Sequence, residues 1–350
     1  MKFLIVAAKT GGHIYPAKVI SQELIERGHE ILLLGIGNQI EENAFKDLNS
    51  KIYKLKIEGF RGQTTLKKLK VLGQVVINVF KVLGIIKKEN IDVMIGFGGF
   101  ITLPAGIASW LRGKPIFIHE QNAVIGSANK ILSKISKKTF IGFPLENSDK
   151  DIKTILTGNP IRKINPKKFG SIHESDNQVK IYVTGGSQGS EFINETIPKV
   201  LLKLSNNIKI KHQCGKSNLN LVDRLYKSAD FDFEVKEFYE NPFKEILWSD
   251  FVISRAGALT LSEIISLKRG ALIIPLPSSI DNHQVLNAES IQRMNLGITH
   301  YQEESLEKLV TRLKSIIDNK TYMSWKKLGL DIHINASKMI LDIIEDYEFK

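Results

Sequence analysis

Short apolar runs alternate with longer amphipathic stretches along the whole chain, and this pattern restricts the fold more than any other feature. A strand that is apolar along its entire length is buried on both faces, which is typical of parallel sheets covered by helices. The pattern therefore predicts an α/β fold with two doubly wound, Rossmann-like sheets. The predicted strands cover residues 3–8, 30–34, 93–96, 115–119 and 139–142 in the first half, and 180–184, 208–213, 251–254 and 271–275 in the second.

The length of the chain fits this division, because 350 residues correspond to about two domains of roughly 150 residues each. We expect the junction between Asn159-Pro160 and the polar residues 171–178, with a first domain over residues 1–160 and a second over residues 161–325. A helix is expected from about residue 324 to residue 348. It is long enough for the C-terminal segment 326–350 to pack back on the first domain.

Positive charge is concentrated in the first half of the chain. Of the net charge of +12, residues 1–150 carry +10, from 22 basic and 12 acidic side chains, and residues 151–350 carry +2, from 27 and 25. A basic surface suits nucleic acid, anionic lipid or a polyphosphate ligand. Because the sequence contains no zinc-ligand spacing and no RNP-like or finger motif, nucleic acid is the weakest of the three.

The cysteine count and the first residues indicate the compartment. Cys214 is the single cysteine, so it cannot form an internal disulfide, and this fits a reducing compartment such as the cytosol. The opening residues 1–8 meet Lys9 too early for a secretory signal and are expected to form a short buried strand instead.

Glycine-rich loops follow four of the predicted strands. In doubly wound folds, ligands bind beyond the carboxyl ends of the strands, where glycine permits sharp turns and the next helix offers free N–H groups to a phosphate. Turn chemistry alone explains any one loop, but four equivalent loops favour a ligand that contains phosphate. The loops are Thr10-Gly11-Gly12-His13, Gly96-Phe97-Gly98-Gly99, residues 184–190, and Ser254-Arg255-Ala256-Gly257.

Two common phosphate ligands do not fit these loops. A dinucleotide fingerprint needs a third glycine where Ile101 stands. Gly215-Lys216-Ser217 resembles the end of a P-loop, but Ile210 occupies the position of the first glycine of that motif. NAD binding and ATP hydrolysis are therefore disfavoured.

Seven motifs occur in order between about residue 3 and about residue 295. They are Thr10-Gly11-Gly12-His13-x-x-Pro16-Ala17, Gly59-Phe60-Arg61-Gly62, Gly96-x-Gly98-Gly99-Phe100, His119-Glu120-Gln121-Asn122, Gly158-Asn159-Pro160-x-Arg162, Gly185-Gly186-Ser187-Gln188-Gly189 and Gly257-Ala258-Leu259-Thr260-x-Ser262-Glu263. Together they resemble the MurG family of N-acetylglucosaminyltransferases, which implies a GT-B architecture with a cleft between an acceptor domain and a nucleotide-sugar domain. Lys9 stands where the family usually has glycine, and Cys214 where it usually has serine.

The resemblance implies an inverting transfer of N-acetylglucosamine from UDP-N-acetylglucosamine to the C4 hydroxyl of the muramoyl sugar of lipid I, which forms lipid II in peptidoglycan synthesis. It assigns the acceptor and the membrane to residues 1–160 and the nucleotide sugar to residues 161–325. An in-line displacement needs a base near the attacking hydroxyl, and the resemblance implies His13 for this role. The alternative is that His13 orients its loop or binds phosphate.

For the donor, the resemblance implies contacts with the sugar, the uracil, the pyrophosphate and the ribose. Glu263 is the implied ribose ligand, since a carboxylate accepts hydrogen bonds from both ribose hydroxyls. The alternative is a capping box formed by Thr260 and Glu263, with a similar spacing at Asp281 and Gln284. The implied donor residues are Thr10, Gly11 and Gly12 in the first loop, Asn122 at the sugar, Arg162 at the uracil, Ser187 at the pyrophosphate, and Ala258, Leu259, Thr260, Glu263 and Gln284.

Two histidine-containing features receive no catalytic or metal role. His119 and Glu120 are interpreted as residues that orient the loop at Gln121-Asn122. His212 lies near Cys214, but no third ligand stands at a suitable spacing for a metal. We expect neither a metal nor a cofactor.

Residues 71–86 form the most apolar stretch, but Gln74, Asn78 and Lys81 interrupt it, so it is too short and too polar to span a bilayer. At helical spacing, basic and polar side chains share one face and apolar side chains share another, which suits an interfacial helix on anionic lipid. The alternative is that the apolar stripe packs on its own sheet. The first face contains Lys67, Lys70, Gln74, Asn78 and Lys81, and the second contains Leu69, Leu72, Val76, Phe80 and Leu83. The residues expected on the acceptor and membrane side are Lys9, Arg61, Lys67, Lys70, Phe80, Gly98 and Gly99.

The resemblance implies UDP-N-acetylglucosamine, lipid I and an anionic membrane surface as partners, and other cell-wall synthesis or division proteins as candidate partners. It implies a peripheral location on the cytoplasmic face of the bacterial inner membrane, with no nucleic acid. Two other functions stay open at this point: a related GT-B glycosyltransferase with another acceptor, and a non-catalytic protein that binds a nucleotide sugar.

Overall fold

The computed structural model describes residues 1–57, 65–145, 153–163, 178–204 and 207–348, which fall into two compact units. Unit 1 comprises Met1–Arg162 and Ile332–Lys350, and unit 2 comprises Lys163–Asp331. Every strand pair in both units is parallel among the described residues. The predicted α/β class with two doubly wound sheets is therefore confirmed.

Unit 1 contains one sheet of seven described strands and six described helices. The strands are β1 (Lys2–Val6), β2 (Glu30–Gly35), β3 (Ile52–Lys54), β4 (Val93–Gly96), β5 (Ile116–Glu120), β6 (Lys138–Ile141) and β7 (Thr154–Leu156). The helices are α1 (Gly11–Glu26), α2 (Gln39–Phe45), α3 (Thr65–Glu89), α4 (Thr102–Leu111), α5 (Ser127–Leu132) and, from the end of the chain, α13 (Ala336–Glu348). The strand order β3-β2-β1-β4-β5-β6-β7 reverses direction between β1 and β4, so the loops after these two strands are neighbours.

Residues of the central strand β1 pack alternately on the two faces of this sheet. Phe3 and Ile5 belong to the core that includes apolar side chains of α1 and α13, whereas Leu4 and Val6 belong to the core beneath α3 and α4. Because side chains alternate along a strand, burial on both faces requires an uninterrupted apolar run. This is the physical basis of the pattern in the sequence.

Unit 2 contains one sheet of six described strands and seven described helices. The strands are β8 (Val179–Thr184), β9 (Ile208–Gln213), β10 (Asp232–Lys236), β11 (Phe251–Ser254), β12 (Ala271–Ile273) and β13 (Gly297–Thr299). The helices are α6 (Glu191–Leu201), α7 (Leu219–Tyr226), α8 (Pro242–Trp248), α9 (Ala258–Ser266), α10 (His283–Arg293), α11 (Leu306–Asp318) and α12 (Thr321–Leu328), and a short 3₁₀ turn covers Ile280–Asn282. The order β10-β9-β8-β11-β12-β13 again reverses after the first strand of the unit.

Nine strands were predicted, and each occurs within two residues of its expected ends. The four that the sequence did not predict, β3, β7, β10 and β13, are the four edge strands of the two sheets.

The C-terminal part differs from the expected single helix over residues 324–348. α12 ends at Leu328 and packs within unit 2, where Trp325 fills the space beside Gly270. At Gly329 the chain passes close to Lys268, and a Cβ added to Gly329 would lie 2.7 Å from the Cα of Lys268. The segment that returns to unit 1 therefore begins at residue 332 instead of 326, and the first boundary follows Arg162 instead of residue 160.

α13 completes the core of unit 1 on one face of its sheet. Ile340, Leu341 and Ile344 are buried in the same cluster as Phe3 of β1. At its outer side, the Arg27 guanidinium lies 2.8 Å from carboxylate oxygens of both Asp342 and Glu345.

We expect Ile344→Ala to lower the free energy of unfolding of unit 1 by about 2–5 kcal/mol, because it leaves a cavity against the sheet. Hydrogen exchange of the β1 amides measures this quantity, since these amides exchange when the core of unit 1 opens. The control is Met339→Ala on the same helix, where the side chain is 39% exposed and the expected cost is below about 1 kcal/mol. Equal costs for the two variants would contradict a core role for α13.

Candidate active site

The first glycine loop joins β1 to α1 at the carboxyl edge of unit 1. Thr10 is the N-cap residue of α1, but its side chain makes no capping hydrogen bond, and the first turn of the helix contains no acidic residue. Uncapped N–H groups and the positive end of the helix dipole make this turn suitable for an anionic ligand. Gly11 and Gly12 lie in this turn and His13 follows them.

The His13 ring is held by the loop that precedes it. Its Nδ1 lies 3.1 Å from the carbonyl oxygen of Ala8 and 3.4 Å from Thr10 Oγ1. Because a carbonyl oxygen only accepts hydrogen bonds, Nδ1 carries the proton of the neutral ring. Nε2 then bears the lone pair, which is the state that a general base requires.

The loop after β4 lies directly against this ring. A Cβ added to Gly98 would lie 3.1 Å from His13 Nε2, and one added to Gly99 would lie 3.6 Å from Nδ1. Both glycines have positive φ, +90° and +77°, and Thr102 Oγ1 donates a hydrogen bond of 2.6 Å to the Gly98 carbonyl. The structure therefore brings Gly98, Gly99 and His13 together.

Glu120, at the end of β5, organises the loop that contains Asn122. One carboxylate oxygen accepts hydrogen bonds from Asn122 N (3.2 Å) and Asn122 Nδ2 (3.1 Å), and the other accepts from Gly126 N (2.9 Å) and Asn129 Nδ2 (3.0 Å). Asn129 Nδ2 also lies 3.6 Å from the Cβ position of Gly98. Glu120 thus orients Asn122 and connects its loop to the surroundings of His13.

His119 is a buried residue, and both of its ring nitrogens form hydrogen bonds. Its Nε2 donates to the Gly158 carbonyl (3.0 Å) and its Nδ1 accepts from Gln121 Nε2 (3.0 Å). Complete burial lowers the pKa of His119 to about 4, so the ring is neutral at physiological pH. With both nitrogens engaged, His119 orients the loop, which agrees with the interpretation from the sequence.

In unit 2, the loop after β8 and the loop after β9 meet backbone to backbone. A Cβ on Gly189 would overlap the Cys214 carbonyl, and one on Gly215 would lie 2.5 Å from the Gln188 carbonyl. The buried Gln213 amide donates to the Gly186 carbonyl (3.0 Å) and accepts from Tyr239 N (3.2 Å). This contact fixes the turn that presents the exposed Ser187.

The capping alternative for Thr260 and Glu263 is wrong. α9 begins at Ala258 with Gly257 as its N-cap residue, so Thr260 is already the third helical residue and Glu263 lies in the second turn. α10 has Asn282 at its N-cap, and the Gln284 side chain accepts from Leu276 N (3.0 Å) instead of closing a box with Asp281.

The expected donor residues are divided between the two units. Five lie in unit 1. One of these, the exposed Arg162, is the last residue of the first segment of unit 1, whereas we expected it in the second domain. Six lie in unit 2, in loops and the first two helical turns that follow the adjacent strands β8, β11 and β12. Those in unit 1 are Thr10, Gly11, Gly12, Asn122 and Arg162, and those in unit 2 are Ser187, Ala258, Leu259, Thr260, Glu263 and Gln284.

α3 has two apolar faces, of which only one is buried. Val71, Val75, Val79, Val82 and Ile86 pack on unit 1, whereas Leu72, Val76 and Phe80 are 56%, 50% and 69% exposed. The alternative that this second stripe packs on its own sheet is therefore wrong for Leu72, Val76 and Phe80, which we call the α3 surface. No helix among the described residues is long and apolar enough to cross a bilayer.

The polar side of α3 differs from the expected face at one position. Lys70 and Lys81 are exposed and Gln74 is partly buried, but Asn78 is buried and its Nδ2 donates to the Lys56 carbonyl (2.9 Å). Arg61 and the side chain of Lys67 lie outside the described residues, as do residues 171–178 apart from the last.

His212 and Cys214 are structural. His212 contacts Asn194 Oδ1 (3.2 Å) through Nε2 and the Tyr226 hydroxyl (3.1 Å) through Nδ1, and burial lowers its pKa to about 3. Burial also raises the pKa of the Cys214 thiol. Within the described ranges, no group of three or more His, Cys, Asp or Glu side chains has the arrangement of a metal site.

Sequence reasoning missed several residues that shape these loops. Asn129 and Gln213 are buried amides whose partners are distant in sequence. Glu41 is buried in α2 beside the first loop. The signal available for Glu41 was its position three residues after Asn38, just beyond a strand, which is the spacing of an N-cap.

Comparison with known proteins connects both units to glycosyltransferases. Residues 3–141 match the glycosyltransferase family 28 N-terminal domain, and residues 180–336 match the C-terminal domain of that family. Two similar proteins bear the name UDP-N-acetylglucosamine–N-acetylmuramyl-(pentapeptide) pyrophosphoryl-undecaprenol N-acetylglucosamine transferase. The one from Buchnera aphidicola is 35% identical over 351 residues, covering 99% of each chain, and the one from Psychrobacter cryohalolentis is 33% identical over 335 residues, covering 93% of each.

A solved structure shows the same architecture. The crystal structure of Acinetobacter baumannii MurG matches this chain with a TM-score of 0.81 and 28% identity, over 99% of both chains. The GT-B architecture expected from the sequence is thereby confirmed.

We expect Gly98→Ala to displace the His13 ring, because the new methyl group would lie 3.1 Å from Nε2. The matched control is Gly113→Ala, which also has positive φ (+66°) but has no described atom within 4 Å of its Cβ position. Both variants carry backbone strain of about 1–2 kcal/mol, and only the first changes the site. The measurement is the imidazole ¹⁵N resonances of His13. Unchanged resonances in Gly98→Ala would contradict the placement of this ring.

Proposed function

Because the chain belongs to the MurG family of N-acetylglucosamine transferases, within glycosyltransferase family 28, we propose that it transfers N-acetylglucosamine from UDP-N-acetylglucosamine to lipid I and forms lipid II. The observation that carries the proposal is the similarity, over nearly the full length of both chains, to transferases named for this reaction. The glycine loops and uncapped helix starts supply the chemistry that such a donor needs.

The reaction is a single displacement. The C4 oxygen of the muramoyl sugar attacks the anomeric carbon of N-acetylglucosamine, the bond from that carbon to the β-phosphate oxygen breaks, and UDP leaves with the bonding electrons. His13 Nε2 takes the proton of the attacking hydroxyl, since the Ala8 carbonyl keeps the ring proton on Nδ1. Gly98 adds no side chain at the position 3.1 Å from Nε2.

Negative charge develops on UDP as it leaves, and uncapped helix starts are suited to stabilise it. The first turns of α1 and α9 lack side-chain caps and acidic residues, so their N–H groups can donate to phosphate oxygens. Ser187 adds a hydroxyl for the pyrophosphate, Glu263 accepts from the ribose hydroxyls, and Arg162 contacts the uracil. Asn122, oriented by Glu120, contacts the sugar.

The α3 surface is the proposed contact with the membrane, and its occupant is anionic lipid. Leu72, Val76 and Phe80 are exposed, and Lys70 and Lys81 are exposed on the flank of the same helix. Each lysine near an anionic surface contributes about 1 kcal/mol. Trp110 and Leu111 extend the apolar area at the end of α4, where the neighbouring Arg112 donates to the α3 backbone at Leu83 (3.5 Å). Peripheral attachment at the cytoplasmic face of the inner membrane would bring the site to its lipid-linked acceptor.

The assay that tests the function is UDP release from purified protein with each substrate alone and with both. We expect release only when UDP-N-acetylglucosamine and lipid I are both present. Release with a different acceptor and none with lipid I would replace the proposal by another GT-B activity, and no release with any acceptor would indicate a binding protein.

We expect His13→Ala to lower turnover by about 10²–10⁴-fold while donor affinity stays nearly unchanged, because proton removal matters only as the bond forms. Steady-state kinetics with saturating lipid I measure both quantities. The control is His29→Ala in the same unit, since His29 precedes β2 at the opposite edge of the sheet. Normal saturated turnover in His13→Ala would remove His13 from the role of base, and a loss of donor affinity alone would assign it to phosphate binding.

We expect Phe80→Ser to weaken binding to vesicles that contain phosphatidylglycerol by about tenfold to a hundredfold, because a buried phenylalanine contributes about 1.5–3 kcal/mol. Vesicle sedimentation measures the binding. Phe238→Ser in unit 2 is the matched control, since Phe238 is 55% exposed and lies far from α3 in sequence. Equal losses for both variants, or none for Phe80→Ser, would contradict the membrane role of the α3 surface.

A further inference from the structure

Glu41 is a charged residue almost fully removed from solvent. Its side chain is 1% exposed, and it lies in α2, which follows the strand next to β1. The burial of a carboxylate is costly unless hydrogen bonds compensate it, so its partners indicate what it holds in place.

All three described partners of the Glu41 carboxylate are backbone N–H groups. Oε2 accepts from Ile36 N (2.9 Å) and Gly37 N (2.7 Å), and Oε1 accepts from Lys9 N (3.2 Å). The first two bonds fix the carboxylate against its own loop. The third reaches the glycine loop at the base of α1, 32 residues earlier in the chain.

The peptide group between Ala8 and Lys9 connects Glu41 to His13. Its N–H donates to Glu41 Oε1, and its C=O accepts from His13 Nδ1 (3.1 Å). A trans peptide is planar, and its N–H and C=O point in opposite directions, so a single rigid unit joins the carboxylate to the imidazole. Hydrogen bonds in such a chain polarise one another, which makes this carbonyl a better acceptor for Nδ1–H.

The conformation of this peptide needs support from its surroundings. Lys9 has φ +80°, which disfavours any residue with a side chain. The Asn38 amide donates to the Lys9 carbonyl (3.2 Å), and Asn38 Oδ1 caps α2 at Glu41 N (2.9 Å). Both backbone polar groups of Lys9 are thus bonded to residues 38–41. Without these bonds the loop is free to relax towards negative φ, and the Ala8 carbonyl would turn away from His13.

We infer that Glu41 is a positioning residue, which acts through the Ala8–Lys9 peptide to keep the His13 proton on Nδ1 and the Nε2 lone pair directed at the acceptor hydroxyl. This inference rests on the proposed role of His13 as the base. Glu41 itself touches neither substrate in this arrangement. The relay resembles a carboxylate–histidine pair with one peptide group inserted between the partners.

The test combines a spectroscopic and a kinetic measurement on Glu41→Gln. A glutamine side chain has one acceptor oxygen, and its amide N–H groups would face backbone N–H donors. It therefore cannot accept hydrogen bonds both from Lys9 N and from the amides of Ile36 and Gly37. We expect the ¹⁵N spectrum of His13 to lose the pure Nδ1–H pattern at neutral pH. Turnover is expected to fall between about tenfold and about 100-fold, with the KM for UDP-N-acetylglucosamine within about twofold of normal. The matched control is Glu42→Gln, an exposed neighbour on α2 that pairs with Lys54 (2.7 Å), and it should change neither measurement.

Two further results decide the inference. In the His13→Ala background, Glu41→Gln should cause no additional loss of turnover, and a second loss of equal size would overturn a role through His13. The second result comes from the unmodified protein and so does not depend on the folding of a variant. A predominance of the Nε2–H tautomer of His13 in that protein would also overturn the inference. These failures are distinct from a failure of the proposed function, which would be seen as no UDP release from the unmodified protein with UDP-N-acetylglucosamine and lipid I, whatever the tautomer.

Discussion

The direction of the strands is the constraint on which the candidate loops of each unit depend. Because all described strand pairs are parallel, every segment that leaves a strand leaves at the same edge of its sheet. The order reverses between β1 and β4 in one unit and between β8 and β11 in the other, so helices diverge there and open a crevice within each sheet edge. The helices that follow start at this edge, so their first backbone N–H groups face it. This explains why glycines recur where a ligand or a second loop approaches, as at Gly98 and Gly189.

The central strands of both sheets were predictable from the sequence, and the edge strands were not. Central strands such as β4 and β11 were found at their exact ends, because burial on both faces demands a continuous apolar run. The four missed strands lie at sheet edges, where one side is exposed and the run is short or broken; β10, with Asp232 and Lys236 at its ends, is an example. The expected C-terminal helix failed because helical periodicity continues across the break at Gly329, which only a close tertiary approach reveals.

The site shows the same division between local and distant information. Motifs located His13, Asn122, Ser187 and the start of α9 in loops at the correct edge, because glycine spacing is a local signal. The residues that hold those loops act through contacts with other segments, Glu41 with Lys9, Asn129 with the end of β5 and Gln213 with Gly186, and no local pattern predicts these contacts. Burial also separates the histidines by function. His119, His212 and His333 have pKa values lowered to about 4, 3 and 3, so they remain neutral supports, whereas His13 is only partly buried.

The return of α13 to unit 1 has a consequence for the order in which the chain acquires its structure. Unit 2 is an insertion between two parts of unit 1, so the first 162 residues emerge from the ribosome without the helix that covers one face of their sheet. Until α13 is synthesised, the side chains that will meet Ile340, Leu341 and Ile344 have no partner there. Unit 2 contains all of its own described strands and can complete its core first. The unit made first is therefore the one finished last, and during synthesis its incomplete face is the part of the chain most open to chaperones or to aggregation.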